Sequence, residues 1–213
     1  MLNKTSRVAL LIILVVASGS VLSQPEKYVA GTHYDVLSAP VRTVDANKIE
    51  VVEAFWYGCP HCFSFEPLIV DWAENIPEDV NFVRFPAMFN SLMKIHAQIF
   101  FTAENRSALD LVHDSVYQAL ILENRELQTE SQIEDFFADS GVDREDFRAA
   151  FDSFSVRTKL QQAEQRMRDY DLRGTPSMIV NGKYRVMTGS AVKTQQEMLQ
   201  VVDFLIDKER KAH

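Results

Sequence analysis

Hydrophobic positions change their period several times along the chain, and each change predicts an element. Residues 49–57 (IEVVEAFWY) are β-prone and almost continuously apolar, the pattern of a strand covered on both faces, with Glu53 standing out inside it. From Gly58–Cys59–Pro60 onward the spacing becomes helical. Phe63, Phe65, Pro67, Leu68, Ile69 and Trp72 fit one helix, bent or broken near Pro67. Residues 80–85 (VNFVRF) alternate and predict a second strand, and a strand–helix–strand unit favours parallel pairing. Upstream, residues 24–48 are mostly polar, with a Tyr34–Val36–Leu37 cluster that suits an edge strand and a loop.

From about Pro86 to Arg157 the apolar spacing is helical throughout. Leu92–Ile95–Ile99, then Leu109–Val112–Val116–Leu120, then Ile133–Phe136–Phe137 predict four or five short amphipathic helices. Their starts are marked by Ser107, by Thr129 with Gln132 three residues on, and by Asp143 before an acidic turn. Val156–Leu172 predicts a further, charged helix. The strand pattern returns at Pro176–Val180 and Tyr184–Met187, joined by Asn181–Gly182, a pair that closes hairpins, and a last helix covers about Thr194–Lys211. The fold class is therefore α/β, one domain split by an all-helical insertion, with no internal repeat.

Composition narrows the function. With 213 residues, 46% apolar and only 7 Gly and 7 Pro, the chain is neither disordered nor of low complexity. Two cysteines cannot build a disulfide scaffold or a four-cysteine zinc site. A formal charge of −8 argues against nucleic acid, which needs a clustered positive field. Residues 1–23 carry Lys4 and Arg7, then the apolar run Val8–Ala17, then Ser18, Gly19 and Ser20, the layout of a secretory signal peptide cut near residue 20–23. The apolar run is too short for a spanning helix, which needs about 20 residues. Cleavage removes two positive charges and takes the formal charge from −8 to −10, so the expected product is acidic, soluble and exported, in a compartment where disulfides persist.

The expected chemistry sits where strand meets helix, at Cys59–Pro60–His61–Cys62. A cysteine at a helix N-terminus faces unpaired N–H groups and a partial positive charge, which favour a thiolate. Pro60 loses nothing in the first turn, His61 offers a further positive charge or donor, and the i, i+3 spacing brings both sulfurs within bonding reach. A thiolate so stabilised is a good leaving group. A structural bridge over so short a loop would remove little chain entropy. Haem attachment needs His directly after the second Cys, where Phe63 stands. A metal-binding module using Cys59, Cys62 and a nearby His or Met is the alternative of another class, and Met88, Met93 and His96 read as one helix face. Glu53 has two readings: a buried acid that takes part in proton transfer, or a solvated or salt-bridged one, with Arg84 on the next strand as partner.

The CPHC motif between an aromatic-rich strand and a helix resembles the active site of the DsbA family, and Arg173–Gly174–Thr175–Pro176 with the hairpin after it resembles that family's cis-proline loop. The resemblance implies a thioredoxin-like fold with an all-helical domain inserted between the first βαβ unit and the C-terminal ββα unit. Residues 24–86 and 157–213 would form the thioredoxin-like domain and residues 87–156 the insertion. It further implies that Cys59 is the nucleophile, Cys62 the resolving cysteine, Pro60 and His61 the tuning pair, Glu53 a proton reservoir, and Thr175 and Pro176 a substrate-binding loop, Thr175 standing where the best-known member has valine. The implied activity is protein dithiol oxidation in the periplasm by a monomer with no bound cofactor or metal. The implied partners are reduced exported proteins and a DsbB-type, quinone-linked membrane oxidase. A disulfide isomerase or reductase is the alternative within redox chemistry.

Overall fold

The computed structural model describes residues 26–212, and the expected signal segment lies outside them. Among these residues five strands form one sheet: β1 (Asp35–Val36), β2 (Ile49–Phe55), β3 (Val80–Pro86), β4 (Ser177–Val180) and β5 (Tyr184–Val186), in the order β1-β5-β4-β2-β3. All seven residues of β2 are buried. The near-continuous apolar run follows from its place: β3 pairs with it in parallel, β4 pairs with it antiparallel, and both faces are covered. Val51 packs with the helix that follows β2 and with the last helix, whereas Val52 and Ala54 pack against the helical block. Each such buried Val or Ile contributes about 1.5–3 kcal/mol.

Helix α1 runs unbroken over Pro60–Glu74, through Pro67. The expected break is absent because Pro67 lies on the exposed face, where forgoing one helical hydrogen bond costs least. The insertion holds α2 (Ser91–Asn105), α3 (Leu109–Ile121), α4 (Glu130–Asp139) and α5 (Arg144–Phe151), followed by α6 (Phe154–Asp169), which packs along α2. The anticipated boundary at residues 156/157 thus falls in the first turn of α6. Thr129 and Gln132 form the expected capping box, and Asp143 accepts from the N–H groups of Glu145 and Asp146. Ser107 is a correction: it adopts φ 53°, and Ala108 caps α3 without a side-chain bond. That left-handed serine turns the chain between α2 and α3 instead of starting a helix.

The β4–β5 hairpin closes through the three residues 181–183, with Asn181 (φ 50°) and Gly182 (φ 59°) as the left-handed centre of a turn in which the Lys183 N–H donates 3.0 Å to the Val180 carbonyl. Gly182 is needed for a second reason, since a Cβ there would stand 2.0 Å from the Val41 carbonyl oxygen. That contact, with the Val41 N–H donating 2.8 Å to the Gly182 carbonyl, ties the β1–β2 connection to the hairpin. Helix α7 (Gln195–Arg210), capped by Thr194 on the Glu197 N–H, completes the layer beside α1.

Candidate active site

Strand β2 ends at Phe55, and Trp56–Tyr57–Gly58 turn the chain into α1. The turn needs glycine at 58 because the Trp56 indole fills the place of its Cβ, with the nearest ring carbon 2.4 Å from where that Cβ would stand. Trp56 is held in turn by His96 on α2: the indole N–H donates 3.1 Å to Nδ1, and the rings stack at 18°. His96 therefore serves packing here, and burial lowers its pKa. Cys59 is the N-cap of α1 and Pro60 its first residue, so the Cys59 sulfur sits over the free N–H groups of the first turn.

The sheet register places the second motif against the first. Ala54 pairs with Ser177, so Pro176 falls at the end of β2 that feeds the turn into α1. The Thr175–Pro176 peptide is cis, and the Cys59 thiol donates to the Thr175 carbonyl at 3.5 Å. Of the two free thiols, Cys59 keeps 8% of its surface exposed and Cys62 none. The Cys62 thiol is the largest influence holding Cys59 toward thiolate. A hydrogen bond with Thr175 and the N–H groups of Cys62 and His61 add to it against burial, and the pKa falls from 9.0 to about 5. Cys62 moves the opposite way: burial, then hydrogen bonding and charge from Cys59, push its thiol far above the ordinary range. One sulfur is thus poised as an accessible thiolate and the other as a sheltered thiol. His61 is exposed, and its carbonyl accepts 2.6 Å from the Gln195 side chain at the start of α7.

Glu53 is completely buried in β2, on the face that α1 covers. Both readings of it meet in one place, because Arg84 Nε also donates to it, at 3.4 Å. Arg84 further bonds Glu66 of α1. Burial is the largest effect on Glu53. Arg84 opposes it, the charge of Glu66 adds to it, and the pKa rises from 4.5 to about 7. Burial works against the Arg84 charge, but the two carboxylates outweigh it and raise its pKa. Around this pair lie groups that sequence reasoning missed. Glu66 is buried one helical turn after Cys62, a spacing that would have marked it. His113 sits buried in the apolar stripe of α3 and shares a 2.8 Å hydrogen bond with the Tyr57 hydroxyl. Glu50 is buried too, its Oε2 accepting from the Val44 N–H at 2.8 Å.

Comparison with known proteins identifies the family and the fold. Residues 69–200 match the model of the DSBA-like thioredoxin domain. The thiol:disulfide interchange protein DsbA of Pseudomonas aeruginosa is 44% identical over 190 residues, covering 89% of this chain and 90% of that one. The protein of the same name from Azotobacter vinelandii is 42% identical over 182 residues, 85% of each chain. Among solved structures, P. aeruginosa DsbA superposes with a TM-score of 0.83 at 44% identity, covering 87% of this chain and 96% of that one. The DsbA oxidoreductase of Xylella fastidiosa superposes at 0.80 with 27% identity, covering 86% and 98%. The fold is the thioredoxin-like one with a helical insertion, and the chain belongs to the DsbA family of thiol:disulfide oxidoreductases.

Proposed function

We propose that the protein donates a Cys59–Cys62 disulfide to newly exported proteins in the periplasm, acting as a monomer. The observation that carries this is the asymmetry of the pair: Cys59 at the helix terminus beside Thr175 with its pKa at about 5, and Cys62 fully buried behind it. A substrate thiolate attacks Cys59 Sγ, the S–S bond breaks, and Cys62 leaves and takes up a proton. A second substrate thiolate then attacks the substrate sulfur of the mixed disulfide and expels Cys59 as the stabilised thiolate. Two electrons and one proton pass from the substrate dithiol to the protein, the second proton goes to solvent, and a DsbB-type, quinone-linked membrane oxidase removes the electrons to restore the disulfide. Cys59 is the nucleophile and Cys62 the resolving cysteine. Pro60 and His61 tune the pair, and Thr175 and Pro176 offer backbone groups to an extended substrate segment. Glu53, with a pKa at about 7 beneath α1, exchanges a proton with Cys62 as that thiol forms and is consumed.

The test is oxidation of a reduced two-cysteine peptide by the disulfide form. Cys59→Ser abolishes it, and in Cys62→Ser the lone Cys59 thiolate attacks the disulfide of the oxidised peptide and stays in the mixed disulfide, since no second thiol of the protein is left to resolve it. Turnover retained by Cys59→Ser overturns the assignment of the nucleophile. An equilibrium with glutathione that lies strongly toward the protein disulfide overturns donation in favour of reduction.

A further inference from the structure

Among the described residues, one group of metal-ligating side chains lies together away from the cysteines. A carboxylate oxygen of Glu66, a ring nitrogen of His113 and a carboxylate oxygen of Asp114 are all within 4.8 Å of one another, on facing turns of α1 and α3. They line a cavity of about 320 Å³ together with Arg84, Asp110 and Phe100. Acids near one another are common on protein surfaces, and two further observations set this group apart. His113 is 5% exposed and Glu66 7%, yet neither His113 Nε2 nor Glu66 Oε2 has a hydrogen-bond partner, Nε2 having only Glu66 Oε1 beside it at 3.5 Å. Unpaired buried atoms of this kind cost about 1–3 kcal/mol each, so an arrangement that leaves two of them together calls for an occupant.

The tautomer of His113 suits a ligand. Its Nδ1 is engaged with the Tyr57 hydroxyl at 2.8 Å. When Nδ1–H donates to the tyrosine oxygen, the lone pair of Nε2 points to the carboxylates, the way an outer hydrogen bond orients a metal-binding histidine. Arg84 bonds Oε1 of Glu66, the oxygen that also faces His113 Nε2 at 3.5 Å, and Oε2 keeps both lone pairs free. Three carboxylates in the cavity wall against that one guanidinium keep the place net negative. We propose that Glu66, His113 and Asp114 form a site for a divalent transition-metal ion, with Zn²⁺ as its best fit, that links the cysteine-bearing helix α1 to α3. One imidazole nitrogen with two carboxylates disfavours Ca²⁺ and Mg²⁺, which take oxygen ligands alone. A tetrahedral Zn²⁺ holds its ligand atoms about 3.4 Å apart, so from spacings of up to 4.8 Å the group closes by at most about 1.4 Å, a movement that the exposed Asp114 can supply. Three protein ligands leave the fourth position to water.

The experiment titrates Zn²⁺ into the disulfide form, in which the cysteine sulfurs are engaged with each other, using calorimetry with the histidine ring nitrogens followed by NMR. The wild type takes up one equivalent, and His113 Nε2 shifts. Asp114→Asn, at an exposed position that leaves the core intact, weakens binding by at least about tenfold, the loss that removing even an outer-shell partner produces. Asp110→Asn, in the same cavity wall but outside the group, leaves affinity within about twofold. Absence of saturable uptake overturns the proposal. So does uptake that leaves His113 unmoved, or an affinity that falls as much in Asp110→Asn as in Asp114→Asn.

Discussion

Glu53→Gln isolates the effect of burying one carboxyl. The side chain is fully buried, Oε1 has no hydrogen-bond partner, and its charged partner Arg84 stands off at 3.4 Å. Burial wins over that pair and raises the pKa from 4.5 to about 7. Because the folded value is the higher one, the native state holds its proton while the unfolded chain has already released it. The wild type therefore keeps its full stability below about pH 4.5 and loses it as the pH rises to about 7. The slope is about 1.4 kcal/mol per pH unit and the total about 3 kcal/mol. Glutamine is close to isosteric, can still accept from Arg84 and does not titrate. Relative to the wild type, Glu53→Gln should gain about 3 kcal/mol between about pH 4 and pH 8, with the change confined to the window below about pH 7.

Urea unfolding of both proteins as disulfides, across that range, gives the difference directly, and titrating groups that do not interact with Glu53 cancel in it. A difference that does not change with pH would refute the reasoning. A wild type that gains on the variant as the pH rises would show that Arg84 outweighs burial and that Glu53 is an ordinary ion pair. The same titration of Arg84→Gln should move the window upward, because removing the guanidinium leaves burial and the charge of Glu66 to act on Glu53 unopposed.

Three further outcomes are expected. The ultraviolet absorbance of the Cys59 thiolate in the reduced protein should titrate with a midpoint near pH 5; because the folded value lies below the ordinary 9.0, the stability this thiolate lends the reduced form is lost as the pH falls through about 5, and a midpoint in the ordinary thiol range would contradict its stabilisation by the Cys62 thiol and the N–H groups of the first turn. Gly58→Ala should lower stability by about 1–3 kcal/mol in thermal unfolding, since its Cβ would overlap the Trp56 indole, and a neutral result would mean that the indole swings aside freely. Thr129→Ala should cost about 1 kcal/mol by removing the capping box of α4, measured by chemical denaturation, with no effect on peptide oxidation.

Most of the element order was legible because each segment carries a local signal. The unbroken apolar run of β2, the Asn181–Gly182 turn and the Thr129–Gln132 box depend on neighbours a few residues away, and periodicity reads those well. Ser107 misled because serine suits a helix start and a left-handed turn alike, and only the packing of α2 against α3 decides between them. Pro67 left a break in α1 open because a proline's cost inside a helix depends on the face it occupies, which the local sequence does not show. Glu66 and His113 were passed over for the same kind of reason: each lies in an apolar stripe, and what makes them unusual is the distance across the gap between α1 and α3.

The cysteine motif and the proline loop, 117 residues apart in the chain, become neighbours through register alone. Strand β4 lies antiparallel beside β2 with Ser177 opposite Ala54, so the residue before Ser177 must stand at the end of β2 from which the chain turns into α1. A slip of one residue would carry Met178 and Val180 to the other face of the sheet, out of the apolar layer they share with Val51, Phe65 and Ile69. Burial of those side chains therefore sets the register, and the register in turn brings the Thr175 carbonyl to 3.5 Å from the Cys59 sulfur. The precision of the redox pair rests on hydrophobic packing in the layer between the sheet and α1. A change at Met178 or Val180 that loosens that layer should therefore raise the Cys59 pKa without touching the motif itself.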